Sequence, residues 1–449
     1  MQKPVAIIGA GLGGLTAANY LHKKGVPFIL FEAGKKIAGL AQTFNDEDGF
    51  SYDFGAHFVT NRLADAIGVG EQCRLVPRYD EAVWLKGKHY SYPLGLLSSP
   101  RLAISGATTL ISNLGQPEPE TASDWFRSKY GRVLADEVAI PLTEAWSGAA
   151  ATELSATVGS SIPGSILRTI YLKLATIYTK KAVACGYNRE KPEIPSVWHV
   201  YPNGGVGVLC ERLAADIQEF IKLDTPVEKI FVSDGKAVGV QAKGVKYDVS
   251  AVVSTAPCHV LPKLIEGSEA LSYLAKFRYR PMIFVNLRLE GRGLLPGVVV
   301  WTPEEEFNFF RLTETPLSMP WLAPVGKTLI TADIGCEVGD ANWNLSDEEL
   351  GERCLVPLER LIPDVRSRYL GCRVLRTAIA YPVFLLEYEA QRRQFEQGTG
   401  IKGLYSIGRN GEFMHIFMED VYWRTQRKME ALCQELDRAD NHDTLAAIA

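Results

Sequence analysis

Apolar and polar residues at the start of the chain alternate in a pattern that predicts a strand, a helix and a second strand. The apolar run Val5–Ile8 leads into a glycine-rich stretch. After it, Leu15, Ala18 and Leu21 recur at the spacing of one helical face, and Gly25 is a helix stop signal. A second apolar run over residues 28–31 predicts another buried strand.

Later patterns predict a helical region followed by a β-rich one. Residues 66–197 have a mostly helical pattern, whereas apolar and alternating runs in 265–375 predict strands. One alternating run, Phe307–Ser318, carries Arg311 among aromatic residues. The β-rich region ends in a helix over residues 346–361, which opens with a Ser-Asp-Glu-Glu cap.

Residues 163–181 combine an apolar stripe with a basic end. Such a helix can pack inside a helical substrate domain. It can also touch a membrane surface. Both interpretations stay open at this point.

Composition and charge restrict the class of protein. A chain of 449 residues has room for about three domains. The net charge of −4 and the lack of basic blocks argue against a nucleic-acid partner. The eight cysteines are widely spaced without a Cys-x-x-Cys motif, which argues against a metal site and suits a reducing cytoplasm. With no signal-peptide pattern and no run of 18 apolar residues, we expect a soluble, cytoplasmic protein, whose oligomeric state stays open.

A glycine-rich turn joins the first predicted strand to the first helix, with Gly9, Gly11, Gly13 and Gly14 in Gly-Ala-Gly-Leu-Gly-Gly. Gly9 permits a tight turn, Gly11 lets the backbone approach a diphosphate, and Gly14 allows close helix–strand packing. Glu32, 18 residues after Gly14, ends the second strand and can bind a ribose hydroxyl group. A plain structural turn is the alternative, but strand, helix and acid together predict a dinucleotide site.

The residues that follow the second strand favour FAD. The stretch Glu32–Thr43 resembles the extended motif of the flavin amine oxidase and protoporphyrinogen oxidase superfamily, where an acid is followed by Gly-Gly and a later Thr. Ala38 and Gly39 occupy the Gly-Gly positions, and Thr43 occupies the Thr position. Leu40 stands where amine oxidases usually carry Arg. The resemblance implies that this loop runs along the FAD pyrophosphate.

Four internal segments extend the resemblance. Residues 53–58 are similar to the segment that brings Gly and His beside the flavin ring, which implies such a place for Gly55, Ala56 and His57. Residues 225–230 resemble the strand whose backbone, here through Val227, holds the adenine. Residues 141–156 and 198–209 also resemble segments of protoporphyrinogen-oxidase-like proteins.

The last part of the chain resembles the segment that closes over the flavin. A strand in residues 404–413 is expected to turn through Gly408 and Arg409, which in the superfamily meet the pyrophosphate and ribitol. The next helix is expected to start near Met418 and Glu419, with N–H groups directed at the flavin C2 carbonyl. A positive helix end there would stabilise negative charge on the reduced flavin.

Together these features predict an α/β protein. Its Rossmann-type FAD-binding domain is discontinuous, formed by residues 1–65, 198–262 and 376–449. Its substrate domain combines helices with a mixed β-sheet, from a mostly helical insertion (66–197) and a β-rich insertion (263–375). The substrate is expected in the cleft between these domains.

Three functions fit this architecture. The first is an FAD-dependent oxidoreductase that takes a hydride from a small molecule. The second is a redox-neutral flavin enzyme acting on a nucleotide sugar, similar to UDP-galactopyranose mutase. The third is a flavin-binding protein without activity. The amine-oxidase subtype is disfavoured because residues 278–287 lack the Lys that amine oxidases commonly place on this strand.

His57 and Arg311 are the candidate catalytic residues. His57 could be an ordinary packed histidine, or it could lie beside the flavin. Arg311 could be a sheet-edge residue whose stem covers Phe rings, or it could clamp a phosphate or carboxylate. In UDP-galactopyranose mutases a similar Arg meets the substrate diphosphate. Since no Cys lies between Cys372 and Cys433, we expect the FAD to be non-covalent.

Overall fold

The computed structural model describes residues 3–92, 95, 99, 118–160 and 166–448, apart from the side chains of 160, 166–170, 172 and 439–448. Its architecture is the α/β type that the sequence predicts, with helices packed against several sheets.

A five-stranded parallel sheet forms the centre of the nucleotide-binding part. Its strands lie in the order Ile221–Lys222, Phe28–Phe31, Val5–Ile8, Ala251–Ser254 and Leu404–Ser406. All four residues of Val5–Ile8 and of Ala251–Ser254 are buried, as expected for central strands covered on both faces. Strands from the beginning, middle and end of the chain therefore meet in one sheet.

Helices cover this sheet and bring both ends of the chain together. The helices Leu12–Lys23, Val208–Ala214 and Met418–Ile448 pack against one another, and their apolar residues share a core with the sheet. A second sheet lies nearby, in the order Val245–Asp248, Lys236–Ala242, Val227–Ser233 and Ile265–Glu266.

A seven-stranded mixed sheet, called the substrate sheet here, is separate from the parallel sheet and is the largest sheet described. Its strands, in order, are Tyr369–Val383, Arg278–Glu290, Lys327–Gly335, Arg311–Thr313, Val299–Trp301, Glu81–Leu85 and Lys88–Ser91. Only the contact between Val299–Trp301 and Glu81–Leu85 is parallel. The strand Arg278–Glu290 is almost wholly buried at the centre of the apolar core.

Two small sheets connect the halves. One pairs Thr43–Asn45 with Ser51–Asp53, and the other has the order Val59–Thr60, His199–Pro202 and Cys73–Leu75. In the part of the chain that the structure describes, the other α-helices are Asn61–Ile67, Ala122–Tyr130, Arg132–Leu134, Ile140–Ser147, Thr157–Ser160, Ile166–Thr179, Leu261–Leu264, Asp347–Leu358, Val365–Arg368, Glu389–Glu396 and Gly408–Gly411. Within the described ranges, no helix is both long and apolar enough to cross a membrane.

The structure bears out several local expectations. The first strand, helix and second strand lie where the pattern predicts them, and Gly25 follows the helix with a φ of 71°. The helix predicted over residues 346–361 is observed over Asp347–Leu358. Its capping box is complete: Ser346 accepts from the Glu349 N–H, and the Glu349 carboxylate accepts from the Ser346 N–H.

Three details differ from the sequence patterns. In the run Phe307–Ser318 only Arg311–Thr313 is a strand, because the preceding aromatic residues are buried in a loop that closes on Thr302. Residues 66–197, expected to be mostly helical, also supply Glu81–Leu85 and Lys88–Ser91 to the substrate sheet. The strand Tyr369–Val383 continues past the proposed domain boundary at residues 375 and 376.

Candidate functional site

The glycine-rich turn leaves open space beside its second glycine. A β-carbon on Gly9 would lie 2.2 Å from Thr255 Oγ1, and one on Gly14 would lie 1.9 Å from the Gly9 carbonyl oxygen. A β-carbon on Gly11, by contrast, meets no described atom within 4 Å. Gly11 is the N-cap of the first helix, and no described side chain caps that helix. Its N–H groups are thus available to a ligand, and the diphosphate of a dinucleotide fits there.

Gly13 brings the two ends of the chain into contact. A β-carbon there would lie 3.5 Å from the Gly408 α-carbon and 3.5 Å from Val421 Cγ1. Gly408 itself has a φ of 79° and begins the short helix Gly408–Gly411, where the sequence suggested a turn. The glycine-rich turn and the final helix therefore form adjoining walls of one site.

Glu32 ends the second strand and faces the first turn. Its carboxylate accepts hydrogen bonds of 2.6 Å from the N–H groups of Ala10 and Gly34. The Glu32 carbonyl accepts from the Thr225 N–H at 2.7 Å, which places the start of the strand Val227–Ser233 beside it. Glu32 therefore lies next to both the glycine-rich turn and the start of the strand Val227–Ser233.

The loop after the second strand runs across the glycine turn. The Ala38 N–H donates to the Ala10 carbonyl at 2.8 Å, and Ala38 pairs with Gly11 in an isolated bridge. Ala38 has a φ of 82°, which explains why glycine suits this position in related sequences. The short 3₁₀ helix Gly39–Ala41 follows and includes Leu40.

Thr43 holds this loop to two other segments. Its hydroxyl donates to Asp53 at 2.6 Å, and Asp53 also accepts from the Tyr201 hydroxyl at 2.8 Å. Gly205, with a φ of 102°, packs so closely that a β-carbon there would lie 2.2 Å from Thr43 Oγ1. Asp53, Tyr201 and Gly205 therefore fix the loop, a function that the sequence had not indicated.

The final helix begins at Met418 and points its first turn into the same region. The Glu419 side chain is occupied elsewhere: it accepts from Thr60 at 2.7 Å, from Arg62 at 2.5 Å and from Trp423 at 3.1 Å. Any contact of Glu419 with the cofactor is therefore made by its backbone.

Gly55, His57 and Arg311 come together although they are distant in sequence. A β-carbon on Gly55 would lie 3.6 Å from an Arg311 guanidinium nitrogen and 3.0 Å from the Phe284 ring. His57 Nδ1 lies 3.7 Å from the Asp53 carboxylate and is buried without a hydrogen bond among the described residues. Ala56 packs against the neighbouring core.

Arg311 is held by a buried carboxylate. Arg311 and Asp333 are directly opposite on antiparallel strands, and their side chains form an ion pair. The Asp333 carboxyl is fully buried, and burial raises its pKa, although the charge of Arg311 opposes that shift. The Arg311 guanidinium also lies 5.5 Å from the centre of the Trp301 ring. Arg311 is therefore fixed by its strand, its carboxylate partner and an aromatic ring.

A second arginine, in the short helix Gly408–Gly411, is close enough to Arg311 for their charges to interact. The Arg409 guanidinium lies 4.7 Å above the Tyr381 ring, and its Nε is buried with no hydrogen-bond partner in the described part of the chain. The ring of His415 lies 5.4 Å from Tyr381 and 5.9 Å from Trp146.

The pKa of His415 reflects the positive charge of this region. Burial holds its pKa well below the usual value, and the charges of Arg409, Arg189 and Arg311 lower it further. The imidazole is therefore neutral at pH 7. The surrounding charge favours an anionic ligand.

Aromatic residues lie near Arg311. Tyr79 donates to Glu81 at 2.6 Å, and Trp301 donates to the other Glu81 oxygen at 3.1 Å. Tyr187 packs against Phe417, with ring centres 4.9 Å apart. Burial raises the pKa of both Tyr79 and Tyr187, so both hydroxyls stay protonated at neutral pH.

Several residues of this site could not be identified from the sequence. Asp333 was only weakly indicated, as an acidic residue among the mostly apolar residues 329–334. Tyr187, Tyr381 and His415 gave none, because each lies in a separate segment that only the folded chain brings near.

The comparisons with known proteins agree with this arrangement. The family model described as flavin-containing amine oxidoreductase matches residues 12–422. The chain is 24% identical over 422 residues to protoporphyrinogen oxidase 2 of Arabidopsis thaliana, covering 80% of each protein. It is 23% identical over 459 residues to coproporphyrinogen III oxidase of Bacillus subtilis, covering 92% of this chain and 94% of the relative.

A solved structure extends the comparison to the whole fold. Reduced UDP-galactopyranose mutase superimposes with a TM-score of 0.79 at 17% identity, covering 97% of this chain and 94% of the other. At that identity the likeness concerns the fold, which two different chemistries share. The match over nearly the whole chain shows that this protein belongs to the family of flavin-containing amine oxidoreductases and is an FAD-dependent oxidoreductase.

Proposed function

We propose that this enzyme oxidises a CH–NH or CH–CH unit of a small, anionic organic substrate. One carbon of the unit gives a hydride to FAD, its neighbouring atom loses a proton to solvent, and a double bond forms between the two. When bound, FAD supplies the hydride acceptor at its N5 atom. The protein would position the substrate, provide positive charge to bind it, and exclude water. The observation that carries the proposal is that Arg311 and Arg409 both lie near a neutral His415, so that two positive charges face one region.

The residues of the nucleotide part are proposed to hold the cofactor without a covalent bond. Gly9, Gly11, Gly13 and Gly14 would face its diphosphate, with Glu32 at the ribose. The backbone of Val227 would face the adenine, and residues 38–43 would cover the diphosphate. The final helix, from Met418 and Glu419, would direct N–H groups at the flavin. Gly55, which packs against Phe284 and Arg311, and Ala56 would lie beside the ring.

Arg311 is proposed to bind the acidic group of the substrate. A planar guanidinium can donate two parallel hydrogen bonds to a carboxylate or phosphate. Arg311 can do so because Asp333 occupies only part of its hydrogen-bonding capacity: its Nε has no partner among the described residues. Arg409 would add a second positive charge, and His57 would lie between this site and the flavin.

A redox-neutral reaction on a nucleotide sugar is the second candidate. The pair Arg311 and Arg409 suits a diphosphate, which carries more charge than one carboxylate. The two candidates differ in whether the substrate changes the redox state of the flavin.

Anaerobic mixing separates the candidates. The yellow protein would be mixed with amine, porphyrinogen and nucleotide-sugar panels while the flavin absorbance is followed. Bleaching by one substrate class supports oxidation. Turnover that occurs only after chemical reduction, without net redox change, would replace the first proposal with the second. Acid precipitation tests the cofactor linkage, because non-covalent FAD stays in the supernatant.

A further inference from the structure

The helix Ile166–Thr179 presents an apolar patch to solvent, defined here as Tyr171, Leu174, Ile177 and Tyr178. Their side chains are 58%, 59%, 75% and 91% exposed. At about 100° of rotation per residue they fall within an arc of roughly 120° on one side of the helix. The other large apolar side chains exposed in the described ranges stand singly in separate strands, helices or loops. A contiguous exposed patch of this kind marks an interaction surface.

The segment of the chain that contains the patch carries charge of one sign. Between Glu153 and Glu190 the chain has no acidic residue and five basic ones: Arg168, Lys173, Lys180, Lys181 and Arg189. This contrasts with the net charge of −4 of the whole chain. Lys180 follows the end of the helix and is exposed. The partner that fits the patch therefore has an apolar region to contact the four apolar side chains and, next to it, negative charge to contact the basic residues.

The helix is attached firmly to the rest of the protein. Lys173 donates to the Tyr92 carbonyl, and the Lys181 ammonium lies 3.5 Å from the centre of the Trp198 ring. The segment after the helix is bonded to the residue that follows the strand Cys73–Leu75: the Ala182 N–H donates to the Val76 carbonyl at 3.0 Å. A partner of this helix is thereby held close to the substrate side of the enzyme.

We propose that this face docks on the surface of an anionic lipid bilayer. The helix lies flat, its apolar patch enters the headgroup region, and its basic end contacts lipid phosphates. A second copy of the chain fits less well, because pairing two patches would bring two basic stretches together. The proposal rests on this surface alone and is independent of the flavin chemistry.

Vesicle flotation of the yellow holoprotein tests the proposal. The probes are vesicles of phosphatidylcholine alone and vesicles that also contain phosphatidylglycerol. The wild type is expected to float with the anionic vesicles and much less with the neutral ones. The variant Ile177→Glu/Tyr178→Glu should lower the partition coefficient at least about tenfold, since two apolar contacts become charged.

A matched control separates the patch from its charge. The variant Val325→Glu/Val338→Glu changes the net charge equally at two other exposed apolar positions, and it should bind like the wild type. Lys180→Gln should weaken binding to anionic vesicles by about fivefold, from the loss of one interfacial charge. Circular dichroism and flavin absorbance establish that each variant is folded.

Two results would overturn the proposal. One is equal flotation of the wild type and of Ile177→Glu/Tyr178→Glu. The other is a wild type that binds neither kind of vesicle but forms a dimer, with the dimer abolished in Ile177→Glu/Tyr178→Glu. The patch would then be the contact surface for a second copy of the chain.

Discussion

Replacing Gly11 by alanine should separate the stability of the protein from its affinity for FAD. A β-carbon on Gly11 meets no described atom within 4 Å, and the backbone there, with φ −75° and ψ −177°, suits alanine. The apoprotein should therefore be as stable as the wild type, or more stable by up to about 1 kcal/mol, because alanine restricts the unfolded chain.

The holoprotein should respond in the opposite direction. The new methyl group would occupy the space proposed for the diphosphate, and overpacking of this kind typically costs about 1–3 kcal/mol. The dissociation constant of FAD should accordingly rise roughly 5- to 150-fold. Gly14→Ala is the contrasting variant, since its β-carbon would lie 1.9 Å from the Gly9 carbonyl oxygen. It should destabilise the apoprotein directly.

Two titrations measure the two effects separately. Urea unfolding of the apoprotein, followed by circular dichroism, gives the free energy of unfolding, and quenching of flavin fluorescence gives the affinity. Unchanged FAD affinity in Gly11→Ala would mean that the cofactor does not approach this glycine. A marked loss of apoprotein stability would mean that the open space does not exist.

Three further variants test other parts of the site. Glu32→Ala removes the carboxylate proposed to accept hydrogen bonds from the ribose, so FAD retention in equilibrium dialysis should fall at least tenfold, the effect of losing about 1.5–3 kcal/mol; wild-type retention would contradict the role proposed for Glu32. Ala38→Gly should raise the free energy of unfolding by about 0.5–1 kcal/mol, because relief of strain at a φ of 82° exceeds the entropy cost of glycine; a lower melting temperature would refute that reasoning. Arg311→Met leaves the Asp333 carboxyl buried without its cation and should cost about 3–5 kcal/mol, much of which Asp333→Asn should restore. Burial raises the pKa of Asp333, and Arg311→Met removes the charge that opposes this shift, so the folded variant binds this proton more tightly than the folded wild type. The difference in urea midpoint between wild type and Arg311→Met should therefore narrow as the pH falls from 7 towards about 4, and a difference that stays constant would exclude this account.

The local part of the site could be predicted from the sequence. A strand, a glycine turn and a helix depend on neighbouring residues, so one short stretch of sequence is enough to predict them. The position of Glu32 follows from that prediction. The start of the last helix at Met418 was predictable for the same reason.

The substrate side could not be predicted, because it depends on sheet order. Arg311 and Asp333 become partners only when their strands lie side by side, and Tyr381 reaches Arg409 from a strand at the sheet edge. Alternation was also misleading at Phe307–Phe310, where burial of the aromatic rings is achieved by a loop instead of a strand.

Calorimetric titration of the apoprotein with FAD, and in parallel with FMN, tests the central claim most directly. Since Glu32 and Val227 are assigned to the adenosine half, one FAD should bind per chain, restore the flavin absorbance and resist displacement by excess FMN. An apoprotein that takes up no FAD, or that binds FMN equally well, would contradict a site in which both ends of the chain enclose one adenine dinucleotide.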